Sequence, residues 1–414
     1  MKTDLNQLMH DYNLDAILVT GPAQHNPEMF YLTGGAHLTN ADLVKKVGKD
    51  PVLFFNSMER DEAAKTGLAT KNLAYYHFVD LIKQCNGDLL QATIMRYQKM
   101  FTDLEISSGR IAIYGKSDAG SSYALFTGLQ KKMPGLEIVG QFVDSILLQA
   151  MATKDEYEVE NIRHMGKITT AVVAQVANFL TSHDLSDDVL VKDNGQPLTI
   201  GEVKRHIDLW LAERGAENPE GTIFAMGRDA GVPHSSGNPD DHLRLGQTIV
   251  FDIFPCEAGG GYYYDFTRTW CLGYAPDEVF ALYEDVLDVY QAIMTELKVN
   301  TPCRPYQVRA AELFRLKGHP TIEENPDTEK GYVHSLGHGL GLNVHEKPVF
   351  GRTATERDRL VPGTIVTIEP GLYYPERGMG VRLEDTVWVR SDGQIEILAD
   401  YPLDLVLPLK KRNR

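Results

Sequence analysis

The chain has 414 residues, 43% of them hydrophobic, and a formal net charge of −16. That length accommodates two domain-sized cores, and the acid excess argues against a nucleic-acid partner, which needs a basic footprint. No apolar run reaches the roughly 18 residues that would span a bilayer, so no membrane partner is expected.

The first residues, Met1-Lys-Thr-Asp-Leu-Asn6, lack the apolar stretch of a signal peptide, and a cytoplasmic location follows as the expectation. Residues 1 to about 150 alternate short apolar runs with helical stretches. Ala16–Thr20, Pro51–Phe55 and Arg110–Tyr114 read as buried strands; Leu5–Tyr12 and Ser121–Lys132 read as helices. Alternation of this kind predicts an α/β layer domain over 1–150. From Lys154 to Leu180, apolar residues at Ile162, Met165, Val172, Val176 and Phe179 keep helical spacing. A second helix is expected from Pro276 to Leu297, opened by Pro276 and the acids after it. A third, shorter one is expected from Tyr306 to Lys317, after the bend at Thr301-Pro302. Residues 151–414 thus form a second domain of two halves, each with helices followed by a hairpin. Cys85, Cys256, Cys271 and Cys303 show no metal or disulfide spacing. Cys256 and Cys271 could meet across the first hairpin, but free thiols suit a reducing cytosol better. The basic tail Lys410–Arg414 reads as a solvated end.

The two hairpins carry the chemistry. Gln247–Phe254 and Tyr262–Trp270 are β-branched and aromatic, with a glycine-rich turn between them. A turn centred on Ala258-Gly259 would set Asp252 directly opposite Asp265, their Cβ atoms about 5 Å apart. Thr364–Tyr373 and Gly380–Val389 form the second pair, and a turn at Glu376-Arg377-Gly378 would set Glu369 opposite Glu384. Both pairs have odd spacing, so each shares a face. His338 lies in the glycine-flanked run Ser335-Leu-Gly-His-Gly-Leu-Gly341. One acid on a strand is ordinarily a solvated charge. Acids opposed on two hairpins would repel, and each pair would drive one pKa upward unless a cation sat between them. Oxygen-rich ligation with one imidazole suits Mn²⁺, Co²⁺, Fe²⁺ or Zn²⁺. Two such ions roughly 3.5–4 Å apart would clamp and ionise a water.

These motifs resemble the pita-bread metallopeptidases: methionine aminopeptidase, aminopeptidase P and prolidase, with creatinase as a non-metal relative. Tyr31-Leu-Thr-Gly34 resembles the start of a creatinase/prolidase-type N-terminal domain, and Lys154-Asp-Glu-Tyr-Glu158 the start of the catalytic domain. The resemblance implies an α/β N-terminal domain and an α+β pita-bread domain with pseudo-two-fold symmetry. One metal would be held by Asp265, His338, Glu369 and Glu384, and the other by Asp252, Asp265 and Glu384. Mn²⁺ and Co²⁺ are the family-typical ions, with Mn²⁺ the first expectation. Creatinase-like members lose these ligands, and this chain keeps all five. His234 resembles the histidine that contacts the substrate and the transition-state oxygen, and His345 the one near the scissile amide. Glu369 would be the general acid–base. His334, Tyr373 and Arg382 match substrate-side positions of the proline-specific members. His334 could equally be structural, and Arg382 could equally pair with the ligand acids.

The implied activity is hydrolysis of the bond between an N-terminal residue and proline, by an Xaa-Pro aminopeptidase or dipeptidase that acts as a homodimer. A phosphotriester-hydrolysing relative and a retired, purely binding member are the alternatives. Asp252 and Asp265 stand 13 residues apart, two more than is usual in the family. An even insertion at a hairpin tip preserves face parity.

Overall fold

The computed structural model describes residues 4–409, so the basic tail lies outside the described residues. The chain divides into two compact units. One holds the residues up to Met151 together with Gly259–Gly261; the other holds the remainder, from Ala152.

The first unit is built on a six-stranded mixed sheet. Its order is Ala69–Asn72, Val52–Phe55, Ala41–Lys46, Ala16–Gly21, Gly109–Gly115 and Leu136–Val139. The central Ala16–Gly21 strand is apolar on both faces. Ile17 and Val19 join one core, and Ala16 and Leu18 join the other. Helices cover both faces, as such continuous apolar strands require. Leu5–Asp11 and Ala119–Lys132 fall where the sequence places them, and the latter is capped by Asp118. The helix Leu89–Asp103 was not anticipated, although Asp88 caps it.

The second unit opens with the long helix Glu156–Thr181, started by a capping box between Asp155 and Glu158. The helices Asp277–Glu296 and Arg304–Leu316 follow the expected positions. The second begins two residues early, because Pro305 fits its first turn. A further helix, Ile200–Ala212, went unread, although its Thr199–Glu202 capping box is a legible start signal. Two sheets face the site. One runs in the order Thr222–Met226, Thr248–Ile253, Phe266–Leu272, Val406–Leu407. The other runs Glu346–Val349, His338–Gly339, Ile365–Ile368, Asp385–Val389, Ile395–Ile397. The hairpin Gly371–Tyr374 with Met379–Arg382 continues the second sheet's ladder. Among the described residues no helix is long and apolar enough to cross a membrane.

All four cysteines are free. Cys256 and Cys271 do not meet across the hairpin. Cys256 lies opposite Tyr263, near the tip, and Cys271 lies opposite Thr248, at the far end.

Candidate metal centre

The first hairpin corrects one expectation. Asp252 lies opposite Thr267, not Asp265. The turn is centred on Gly259-Gly260, both at positive φ (93° and 84°), where glycine is favoured. Moving the centre by one residue from Ala258-Gly259 shifts the pairing by two. Face parity survives, so Asp265 becomes the diagonal neighbour of Asp252 rather than its direct partner.

The second hairpin keeps the expected register but not its continuity. Ile368 pairs with Asp385 and Gly371 with Arg382, which sets Glu369 across from Glu384. Between those pairs the ladder is interrupted at Glu369-Pro370, because proline has no N–H to give it. Glu384 pairs instead with the first hairpin: its N–H donates to the Thr267 carbonyl at 3.1 Å, and its Oε2 accepts from the Thr267 hydroxyl at 2.6 Å. The two similar stretches Asp265–Thr269 and Arg382–Thr386 therefore lie antiparallel to each other. Thr269 Oγ1 bonds the Arg382 carbonyl at 2.9 Å, and Thr386 Oγ1 bonds the Asp265 carbonyl at 2.8 Å.

His338 completes the group. Gly337 and Gly339 flank it because a Cβ at either would stand 2.0 Å from a neighbouring carbonyl oxygen, of Thr367 or Lys347. His338 Nδ1 faces the Gly339 carbonyl at 3.0 Å, so its proton sits there and the Nε2 lone pair points inward. Nε2 lies 3.3 Å from Glu369 Oε1 and 3.6 Å from Asp265 Oδ2. Ligand atoms of Asp265, His338 and Glu384 all fall within 4.8 Å of one another.

The electrostatics of this group call for positive charge. Burial, reinforced by Asp252 and Glu369, pushes the Asp265 carboxyl well above its ordinary value. Burial, with Asp265, Glu369 and Asp252 adding to it, does the same to Glu384. Burial is also the main cause that pushes Glu369 up to about 8. Burial and the neighbouring His345 hold His338 down at about 3, so its ring is neutral and able to ligate. Asp252 Oδ1 and Asp265 Oδ1 are buried without a hydrogen-bond partner. An unsatisfied buried carboxylate oxygen is costly. Divalent cations would satisfy both oxygens and remove the repulsion, so these residues fit a carboxylate-rich metal site.

One side of the group is closed by a polar chain. Arg382 Nη2 donates to Asp252 Oδ2 at 2.5 Å, and Nη1 donates to the Tyr373 hydroxyl at 2.7 Å and to the Pro233 carbonyl at 3.3 Å. His334 Nδ1 faces the Ser335 carbonyl at 2.7 Å, which leaves Nε2 to accept from the Tyr373 hydroxyl at 2.8 Å. Burial and the Arg382 charge hold His334 at about 3. Of the two readings open for Arg382, the geometry favours pairing with an acid of this group, Asp252, since the guanidinium is buried and engaged. His234 follows Pro233 on an exposed loop. The outer side of His345 is open to solvent, and its ring centroid lies 4.3 Å from that of His338. Desolvation lowers the His345 pKa and His234 adds to that, while Glu220 and Asp252 oppose it.

Sequence reasoning passed over the supports. Arg268, fully buried, bonds the carbonyls of Thr267, Glu384, Tyr401 and Pro402 and pairs with Asp385 at 2.9 Å. It locks the strand behind Glu384 to the first hairpin. Its only sequence signal is a charge inside an apolar strand, which predicts a buried partner without naming one.

Residues 160–391, more than half of the chain, match the metallopeptidase family M24. The chain belongs to metallopeptidase family M24. YkvY of Bacillus subtilis, named as a dipeptidase, is 33% identical over 209 residues. That match covers 50% of this chain and 53% of YkvY, so the chain spans about half of that relative. An Xaa-Pro dipeptidase of Pyrococcus horikoshii is 24% identical over 397 residues, 94% of this chain and 93% of its own. Among solved structures, a dipeptidase from Pyrococcus horikoshii superimposes with a TM-score of 0.74 at 23% identity, covering 97% of this chain and 98% of its own. An X-Pro aminopeptidase from Thermotoga maritima reaches 0.72 at 23% identity, with the same coverage. The fold is therefore the two-domain M24 fold, an α/β N-terminal domain followed by a pseudo-symmetric α+β pita-bread domain.

Proposed function

We propose that this M24 member is a dinuclear metallopeptidase that cleaves the bond between an N-terminal residue and proline. The observation that carries the reading is the group of buried Asp252, Asp265, His338 and Glu384 with half-buried Glu369, with two carboxylate oxygens unpartnered and Nε2 aimed inward. Asp265, His338, Glu369 and Glu384 would hold one cation, and Asp252, Asp265 and Glu384 the other. When bound, such a pair polarises the scissile carbonyl and makes water acidic enough to attack at neutral pH. Mn²⁺ is the ion we assign, with Co²⁺, Fe²⁺ and Zn²⁺ as competitors.

The protein's own groups supply the remaining steps. Glu369 takes the proton of the attacking water at a carboxylate oxygen and passes it to the leaving nitrogen. His234 donates to the developing oxyanion. His345 orients the substrate amide. Arg382 orients Asp252 through their ion pair, and Tyr373 links Arg382 to His334 on the substrate side. Proline is selected by shape, since its φ is fixed and its amide has no N–H. We assign the active form to a cytoplasmic homodimer.

Because Arg382 is engaged with Asp252, it is not free to bind the carboxylate of a dipeptide. An Xaa-Pro tripeptide is accordingly the preferred substrate, which favours the aminopeptidase over the dipeptidase. The test uses metal-depleted protein reloaded with Mn²⁺, given one Xaa-Pro dipeptide, one Xaa-Pro tripeptide and one organophosphate triester. Faster cleavage of the tripeptide supports this reading, and cleavage of the dipeptide alone makes the protein a dipeptidase. Turnover of the triester alone, or of nothing, overturns the peptidase reading.

A further inference from the structure

Three stretches that carry site residues converge on Lys154 and its neighbours. The Lys154 N–H donates to the Gly363 carbonyl at 2.7 Å, and Thr153 bridges Thr364, just before the strand that leads to Glu369. The Lys154 ammonium pairs with Glu346 Oε2 at 2.7 Å, with side chains 1% and 0% exposed. The other oxygen, Glu346 Oε1, accepts from the Leu342 N–H at 2.8 Å and the Asn343 N–H at 3.1 Å. The same turn is tied to the first hairpin, where the Tyr263 N–H donates to the Gly341 carbonyl at 2.8 Å, two residues before Asp265. A Cβ at Gly341 would lie 2.5 Å from Glu346 Oε2 and 2.9 Å from Lys154 Cε, so the pair and the turn are packed against each other.

We infer that the Lys154–Glu346 ion pair is a positioning device that fixes turn 341–346 and thereby sets His345 against His338. What His345 does there rests on the peptidase reading; how it is held does not. A tight turn with two inward N–H groups needs a buried acceptor, and a buried carboxylate needs a counter-charge. For stability alone, an apolar pair of the same volume would serve as well. The ionic pair differs from it in one respect, because only an acceptor can hold the Leu342 and Asn343 amides. His345 follows Leu342 by three residues and Asn343 by two, on a face otherwise open to water.

Single removal of Lys154 would strand a buried carboxylate and unfold the protein, so paired variants are used. In the full-length protein, Lys154→Met with Glu346→Leu keeps the volume but removes the acceptor. Lys154→Gln with Glu346→Gln keeps an amide oxygen for the turn. In the Met/Leu variant, hydrogen exchange at Leu342 and Asn343 rises at least about tenfold. On an Xaa-Pro tripeptide its kcat falls about 10- to 100-fold, as for other supports of a metal site, while KM moves less than about threefold. The Gln/Gln variant recovers most of both effects. His345→Ala costs little further in the Met/Leu background, because residues acting through one another are non-additive. Unchanged exchange, or a full additive loss from His345→Ala, overturns the inference. If wild-type protein cleaves no peptide, the functional reading fails by itself. The positioning inference then stands if the His345 imidazole ¹⁵N resonances shift together with faster exchange, and falls if they stay.

Discussion

The two acid-bearing hairpins look alike in sequence and are built differently. The first keeps its ladder through Asp252, which Arg382 pins, and parts only beyond it, at Phe254-Pro255 opposite Tyr264-Asp265. The second is broken at Glu369-Pro370 itself, and the Glu369 carboxylate, 15% exposed, accepts from the Thr367 hydroxyl at 3.4 Å and lies 3.3 Å from His338 Nε2 and 3.8 Å from His334 Nδ1. Its partner Glu384 is buried and tied to Thr267. On the proposed mechanism, the difference separates acids that anchor the cations from the acid that exchanges a proton. Asp252 is held by Arg382 and Glu384 by Thr267, while Asp265 is buried with one carboxylate oxygen unpartnered. Glu369 sits at a gap and is more exposed than Asp265, as the proposed proton exchange with water requires.

That contrast breaks or sharpens under substitution. Glu384→Ala removes an anchor shared by both proposed cations. It should lower kcat/KM by about 10³-fold or more, the worth of several kcal/mol of metal assistance, and reduce bound Mn²⁺ measured by equilibrium dialysis. Glu369→Gln should cost about 10²- to 10³-fold in kcat, the usual share of a general acid–base, while retaining most of the Mn²⁺. Equal metal loss in the two variants would erase the distinction between anchor and shuttle.

The metal-free protein offers a pH test. Folding raises the Glu369 carboxyl from 4.5 to about 8 and lifts Asp265 and Glu384 as well, so the folded state binds protons more tightly than the unfolded. This contribution to stability is present below the unfolded pKa and is lost as pH rises through the folded one. His334 and His338, lowered from 6.5 to about 3, oppose this below pH 6.5, so the melting temperature of metal-free protein should fall most clearly between pH 6.5 and about 8. Added Mn²⁺ should raise it more at pH 8 than at pH 5. A Mn²⁺ effect independent of pH would sink this account. The smallest effect is expected from Tyr373→Phe, which removes the hydroxyl between Arg382 and His334. It should cost about 1 kcal/mol of stability by thermal melts and less than tenfold in kcat/KM.

Much of this was legible in the chain. The central strands near Ala16 and Gly109, the long helix after Asp155 and both acid-bearing hairpins follow from apolar period, capping residues and turn glycines. The Glu369–Glu384 register follows because its turn centre is unambiguous. The first hairpin's register was misplaced by two residues, because four adjacent small residues, Ala258 to Gly261, allow more than one turn centre. Only positive φ at both Gly259 and Gly260 selects one.

By itself, the sequence determined which residue types carry the chemistry and which face each acid occupies, because strand parity and glycine turns are local properties. Tertiary structure decided which acids are buried and which is more exposed, that Arg382 is engaged with Asp252, and that Lys154 reaches Glu346 across 192 residues. Burial and charge pairing are set by what the chain brings from elsewhere, and no local pattern encodes a partner at that distance.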